Sequence, residues 1–402
     1  MLTIICTRNT LVRVKSAEVS RLKINGPKNN PVKQSRRLLA LDILRGFFLF
    51  AIIINHTPLS PQLTILATGA GQMAASAAEG FFLVSGLLVG YLYTPKIITN
   101  TKLIVKKILK RAGLLYAISI ITTLLFTLAA LASKVDPTGT LYTGSLLDPS
   151  FLTRLFTLEY VYGWADFLSR YAVFMAIAPA VLLLIAYGYT RLVFICSIIV
   201  WILSPILGSP EFTAWQLLFF GGVIAGSRFD QIRQWFASRS GIHYLYLVCG
   251  LAILTLAYSH YVTILYPNFV LPVLNTLGLE LPQVISNYLA GLYEMLRPAL
   301  DKEYLGFVRV MAAFLWFILL LSVFMKYEKE IDRYTFGILR FIGQNSLLVY
   351  VIHSIIIFIV ASLVTLLQPD VGVVINTIVG LLVFAAVIIS TKLIIRLRRL
   401  QD

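Results

Sequence analysis

The first apolar run of the chain, residues 38–56, carries three side chains that can do chemistry: Asp42, Arg45 and His56. Ionisable groups inside such a run are costly, so each one asks for a reason. On a helix, at about 100° per residue, the step from Arg45 to His56 makes about three full turns, and Asp42 falls only about 60° from Arg45. All three therefore share a face, with His56 about 16 Å further along the axis than Arg45. That spacing describes a two-ended site. At one end a planar, permanently charged guanidinium, with Asp42 beside it, suits the phosphates of an activated donor. At the other end an imidazole, whose ordinary pKa lies near neutrality, suits removal of a proton from a hydroxyl group. The same residues also fit a plainer arrangement, in which Asp42 and Arg45 form an i, i+3 ion pair at an interface and His56 ends the helix before Thr57-Pro58.

Two later runs add candidates. Near residue 77 a second run opens with Glu79 and continues to Ser85, Gly86 and Gly90. Glycines four apart let a neighbouring helix approach closely. Glu79 lies at a depth similar to His56, where it either orients and charge-stabilises the imidazole or faces water. A ninth run begins Gly343-Gln344-Asn345-Ser346 and reaches Tyr350 and His353. Ser346 and His353 are seven apart and share a face, and a histidine that deep needs a hydrogen-bond partner or a wet passage. A structural role is its commoner fate, so the expectation of proton chemistry rests first on His56.

These side chains need a scaffold, and composition says which kind. Hydrophobic residues make up 58% of the 402 positions and charged residues 13%, with a mean hydropathy of +0.85, which excludes a water-soluble fold. The expected fold is all-α, a polytopic membrane protein of about ten spans near 38–56, 77–94, 112–133, 168–187, 191–207, 213–227, 243–265, 305–325, 342–367 and 372–394. The chain carries 34 Lys and Arg against 18 Asp and Glu. With the N-terminus in the cytoplasm, 27 of those 34 cations fall on the cytoplasmic side, which the positive-inside rule demands, and both termini are then cytoplasmic. The exceptions are Arg45, Lys134, Arg154, Arg170, Arg297, Lys302 and Arg309. The positive charge thus reflects orientation in a membrane rather than a nucleic-acid partner.

Residues 1–37 read as a basic, disordered tail, 38–395 as one membrane domain and 396–402 as a short basic tail. Two outer segments, 134–167 and 266–304, hold carboxylates and aromatics suited to sugars, among them Asp136, Tyr160, Tyr162, Trp164, Asp166, Glu280, Tyr293, Glu294 and Arg297. Interfacial loops with an aromatic belt have the same composition. Cys6, Cys196 and Cys249 have no metal-ligand spacing, so no metal site is expected, and the latter two read as core.

Leu41-Asp42-Ile43-Leu44-Arg45-Gly46 followed by His56 resembles the opening of the membrane acyltransferase-3 superfamily, and Phe81 through Gly86 resembles its second-span motif. Within it, Ala78-Glu79-Gly80-Phe81 through Gly86, Ala214-Trp215-Gln216-Leu217-Leu218-Phe219, and Gly343 through Tyr350 with His353 are similar to the landmarks of the OpgC branch, glucan succinyltransferases of bacterial envelopes. The resemblance runs from about residue 37 to 395 and implies a multi-pass protein of the bacterial inner membrane with no bound cofactor. Its donor would be an acyl-coenzyme A, carrying a succinyl or acetyl group and entering from the cytoplasm. Its acceptor would be an envelope carbohydrate outside. By that analogy His56 is the base, Glu79 supports it, Arg45 and Asp42 handle the donor, and Ser85, Trp215, Gln216, Asn345, Ser346 and His353 line the passage. The competing expectation is a transporter or lipid-carrier flippase, against which stands the lack of a sequence repeat or of paired Gly/Pro-broken helices.

Overall fold

The computed structural model describes residues 38–278, 283–369 and 371–401. The expected tail 1–37 and Glu280 lie outside these residues, as does the side chain of Tyr293. No strand occurs among the described residues. The helices that matter here are α1 Leu39–Asn55, α2 Ala77–Ile97, α3 Thr101–Ser133, α4 Pro149–Phe156, α5 Asp166–Ala186, α6 Thr190–Ile202, α7 Gln216–Ser227, α8 Arg239–His260, α9 Gln283–Leu300, α10 Phe307–Lys326, α11 Ile338–Gln344, α12 Ser346–Leu367 and α13 Val373–Gln401.

Among the described residues, seven helical stretches are long and apolar enough to cross a membrane: α2, α3, Gly163–Ala186, Arg239–Thr276, α10, α12 and Val373–Leu400. This is the architecture of a multi-pass membrane protein. Three of the ten expected spans fall on shorter helices, α1, α6 and α7. Twelve residues, the length of α7, rise only about 18 Å against a hydrocarbon core of about 30 Å. Such a segment is tolerated because protein, not lipid, surrounds it: Gln216–Phe220, Gly222, Val223 and Gly226 are all buried.

α1 is the clearest case of enclosure. Thirteen of its seventeen residues are buried, on every side of the helix, so it stands inside the bundle. Elsewhere large apolar side chains such as Leu125, Ile195, Leu254, Ile359 and Leu382 are exposed on the outer surface, as a lipid-facing belt requires. Cys196, expected in the core, belongs to that exposed surface, while Cys249 is intermediate; an apolar neighbourhood marks lipid contact as readily as burial in this class of protein.

Small residues bring the backbones together. A Cβ at Gly86 or Gly90 would strike the carbonyls of Phe219 or Val223 on α7, and reciprocally a Cβ at Gly222 or Gly226 would strike those of Leu83 or Leu87 on α2. The expected close approach at Gly86 and Gly90 is therefore met by a second glycine pair across the seam. α1 and α11 use the same device, Gly46 against the Leu339 carbonyl and Gly343 against that of Asp42.

The two segments expected outside carry helices of their own where they are described. The π-type stretch Tyr261–Val270 runs into 266–304 and is followed by Leu271–Thr276 and α9. In 134–167, Asp148 caps α4 by accepting from the Ser150 amide at 2.9 Å, and Asp136 accepts from the Leu141 amide at 2.8 Å and the Tyr162 hydroxyl at 2.8 Å. Burial acts to raise the Asp136 pKa, but these donors together with Thr138 outweigh it and hold the carboxyl below its usual value. Burial pushes the Tyr162 phenol well up, with Asp136 adding to it.

Candidate active site

Ile52 and His56 of the first helix, Ala78 at the start of α2, Asp166, Phe167 and Arg170 at the start of α5, Glu211 and Trp215 before α7, Lys302 and Glu303 before α10, and Tyr350 of α12 enclose one cavity of about 300 Å³. Six separate chain segments contribute, and the lining mixes three carboxylates, two cations, an imidazole and aromatic rings. His56 follows the last turn of α1, where its backbone amide donates to the Ile52 carbonyl at 3.1 Å before Pro58 stops the helix.

The partner of His56 is His353. His56 Nδ1 lies 3.1 Å from His353 Nε2, and the two rings stack with centroids 5.1 Å apart. His353 is wholly buried and packs edge-on against Tyr350, whose hydroxyl donates to the Trp164 carbonyl at 2.7 Å. Because His56 spends Nδ1 on this contact, Nε2 is the ring nitrogen left for a molecule in the cavity.

Glu79 is not the group that meets His56. Its carboxylate closes a capping box with Ser76 at the head of α2 and accepts from Arg309 Nη1 of α10 at 2.6 Å, both side chains being buried. The two alternatives open at the sequence level, His56 or water, are thus replaced by a third. The motif Ser76-x-x-Glu79 carries the signal for the cap, and Arg309, one of the seven cations that orientation left over, supplies the partner.

At the opposite end of α1, Asp42 and Arg45 diverge. Asp42 Oδ2 accepts from Gln344 Nε2 at 3.2 Å, whereas the Arg45 guanidinium lies 5.1 Å from the centre of the Phe81 ring on α2. An offset of about 60° on a helix is enough to aim two side chains at different neighbours. Arg45 Nε and Ser85 Oγ, both buried, have no hydrogen-bond partner among the described residues.

Trp215 lines the cavity with Arg170 stacked 4.9 Å from its ring centre; Arg170 in turn pairs with Asp166 at 2.7 Å. Gln216 instead donates to the Ser197 carbonyl at 2.8 Å, Asn345 to that of Phe341 at 2.8 Å, and Ser346 is buried at the start of α12; none of these three lines the cavity. Asp166, Arg170, Glu211, Lys302, Glu303 and Tyr350 are not among the site residues expected from the sequence, because ones and twos contributed by four distant segments make no local motif. Among the described residues no group of His, Cys, Asp and Glu is arranged to hold a metal ion.

No curated protein and no solved structure matches this sequence. The family model described as OpgC protein matches residues 37–399, nearly the whole length, and the chain belongs to that family.

Proposed function

We propose that this protein is a membrane O-acyltransferase that moves an acyl group from an acyl-coenzyme A, taken up at the Arg45 end on the cytoplasmic side, to a hydroxyl of an envelope glucan held in the His56 cavity on the outer side. Membership of the OpgC family supports a membrane transferase acting on glucan. The observation that carries the chemical assignment is the His56–His353 contact at the wall of a polar cavity.

In this reading the His56 ring carries its proton on Nδ1 and donates it to His353 Nε2, which leaves the Nε2 lone pair of His56 directed to the acceptor. Nε2 takes the proton of the glucan hydroxyl as the oxygen attacks the thioester carbonyl. Collapse of the tetrahedral intermediate breaks the carbon–sulfur bond, and the leaving thiolate takes the proton back from His56. His353 is a positioning residue, fixing the tautomer and the plane of the base. Arg45, lying beside an aromatic face with an unsatisfied Nε, holds the phosphate-bearing part of the donor.

His56→Ala is expected to lower acyl transfer by about 10²–10⁴-fold, the usual worth of a general base, while the protein still inserts and folds. Mass spectrometry of envelope glucans from cells carrying each form measures it. Undiminished acylation in the variant, or substrate movement that needs no donor, sinks the assignment.

A further inference from the structure

Lys302 and Glu303 bring opposite charges to the cavity from a short connection, Asp301–Gly306, between α9 and α10. Both side chains are exposed, yet the backbone is tied down on either side of them, at Asp301 and at Tyr304–Gly306. The Gly306 amide donates to the Asp301 carbonyl at 2.9 Å and the Tyr304 amide to Asp301 Oδ1 at 2.7 Å. Leu305 is wholly buried with a φ of +50°, a conformation costly for a branched side chain, which persists because the surroundings impose it. Its carbonyl accepts from Trp201 Nε1 of α6 at 2.8 Å. At Gly306 a Cβ would collide with the backbone of Pro298 and Ala299, so no other residue closes the turn as tightly.

The outer anchor of this connection is Arg309. Its Nε donates to the Leu300 carbonyl at 2.8 Å, its Nη2 to the Met73 carbonyl at 3.3 Å and its Nη1 to Glu79. One guanidinium thus ties the entry of the Lys302–Glu303 connection to the segment before α2 and to the head of α2, whose Ala78 forms another part of the cavity wall. Fixed backbone with free polar side chains is the arrangement of a preorganised recognition element. An ammonium and a carboxylate side by side offer donor and acceptor to the paired hydroxyls of a sugar.

We propose that Asp301–Gly306 is the acceptor-reading connection of the cavity, with Lys302 and Glu303 contacting the glycan, and that Glu79 acts on the reaction as a positioning residue through Arg309. This rests on the acyltransferase reading above. Steady-state transfer to a labelled gluco-oligosaccharide, varied against fixed acyl-coenzyme A and the reverse, tests it. Lys302→Ala and Glu303→Gln are each expected to raise the KM for the oligosaccharide about tenfold, more than they change kcat or the donor KM. Glu79→Gln should do the same by displacing the connection. Should Glu79→Gln not fold, Arg309→Lys keeps a cation opposite Glu79 while removing the planar fork, and it too should raise the acceptor KM selectively. An acceptor KM unmoved in all four variants, or kcat and donor KM falling away together with it, overturns the proposal while leaving the function standing. A wild-type protein that neither binds nor acylates any oligosaccharide overturns both.

Discussion

Two ion pairs lie close to the cavity and have nearly the same length, yet they do different work. Glu79–Arg309 spans 2.6 Å with side chains 0% and 7% exposed, and Asp166–Arg170 spans 2.7 Å with side chains 45% and 18% exposed. In the first, each charge has been taken out of water and every remaining polar atom is committed: Arg309 to two carbonyls as well, Glu79 to the helix cap. In the second, water reaches Asp166, and Arg170 is shared with the Trp215 face. Distance alone therefore does not rank ion pairs; the dielectric around them and the fate of their spare hydrogen bonds do. The buried pair is a rivet, and the exposed one is adaptable lining.

The largest effect expected from that contrast comes from Arg309→Ala, which leaves Glu79 charged and buried and should cost about 3–5 kcal/mol, seen as a large drop in thermal unfolding temperature in detergent. Replacing both partners, Glu79→Gln with Arg309→Met, should lose less than the single change, since no charge is left uncompensated. If the double replacement proved worse than Arg309→Ala, the account of the buried pair would fail. Asp166→Asn is expected to shift stability by no more than about 1 kcal/mol, and its effect should shrink further in high salt; a loss as large as that of Arg309→Ala would erase the distinction.

Asp136 offers a finer grade of the same contrast, a carboxylate held by neutral donors. Its folded pKa is depressed, so its contribution is fully present above the ordinary carboxylate value of about 4 and is lost as pH falls through the lower folded value. Hydrogen exchange across 134–162 should stay slow at about pH 4 and quicken only below it, whereas Asp136→Asn should exchange faster already at neutral pH. Opening of the wild-type segment at about pH 5 would contradict this.

The helical, multi-pass architecture was legible in the sequence because long apolar runs have few other fates. So was the proximity of the second helix to a neighbour, since Gly86 and Gly90 announce it. Which neighbour was not legible: Gly222 and Gly226 lie more than a hundred residues away, and pairing at that range leaves no local signature. The contact of His56 with His353 lies beyond local reading for the same reason. Of the seven cations that the charge rule could not place, Arg45, Arg170, Lys302 and Arg309 all prove to be held against aromatic rings, a carboxylate or the cavity. A charge that orientation does not explain is one that local chemistry must. Span length was the least legible quantity, because hydropathy does not separate a lipid-facing helix from a short one wrapped in protein.

Enclosure of α1 also has a consequence for how the molecule is made. The polar groups on this helix find their partners very late in the chain: the Ala40 amide at Glu328, Asp42 at Gln344 and His56 at His353, separations of 288, 302 and 297 residues. Synthesis at about 5–20 residues per second puts those partners on the order of tens of seconds behind. During that interval the helix waits in or beside the membrane without these three contacts, and only the arrival of the last fifth of the polypeptide closes the ring around it.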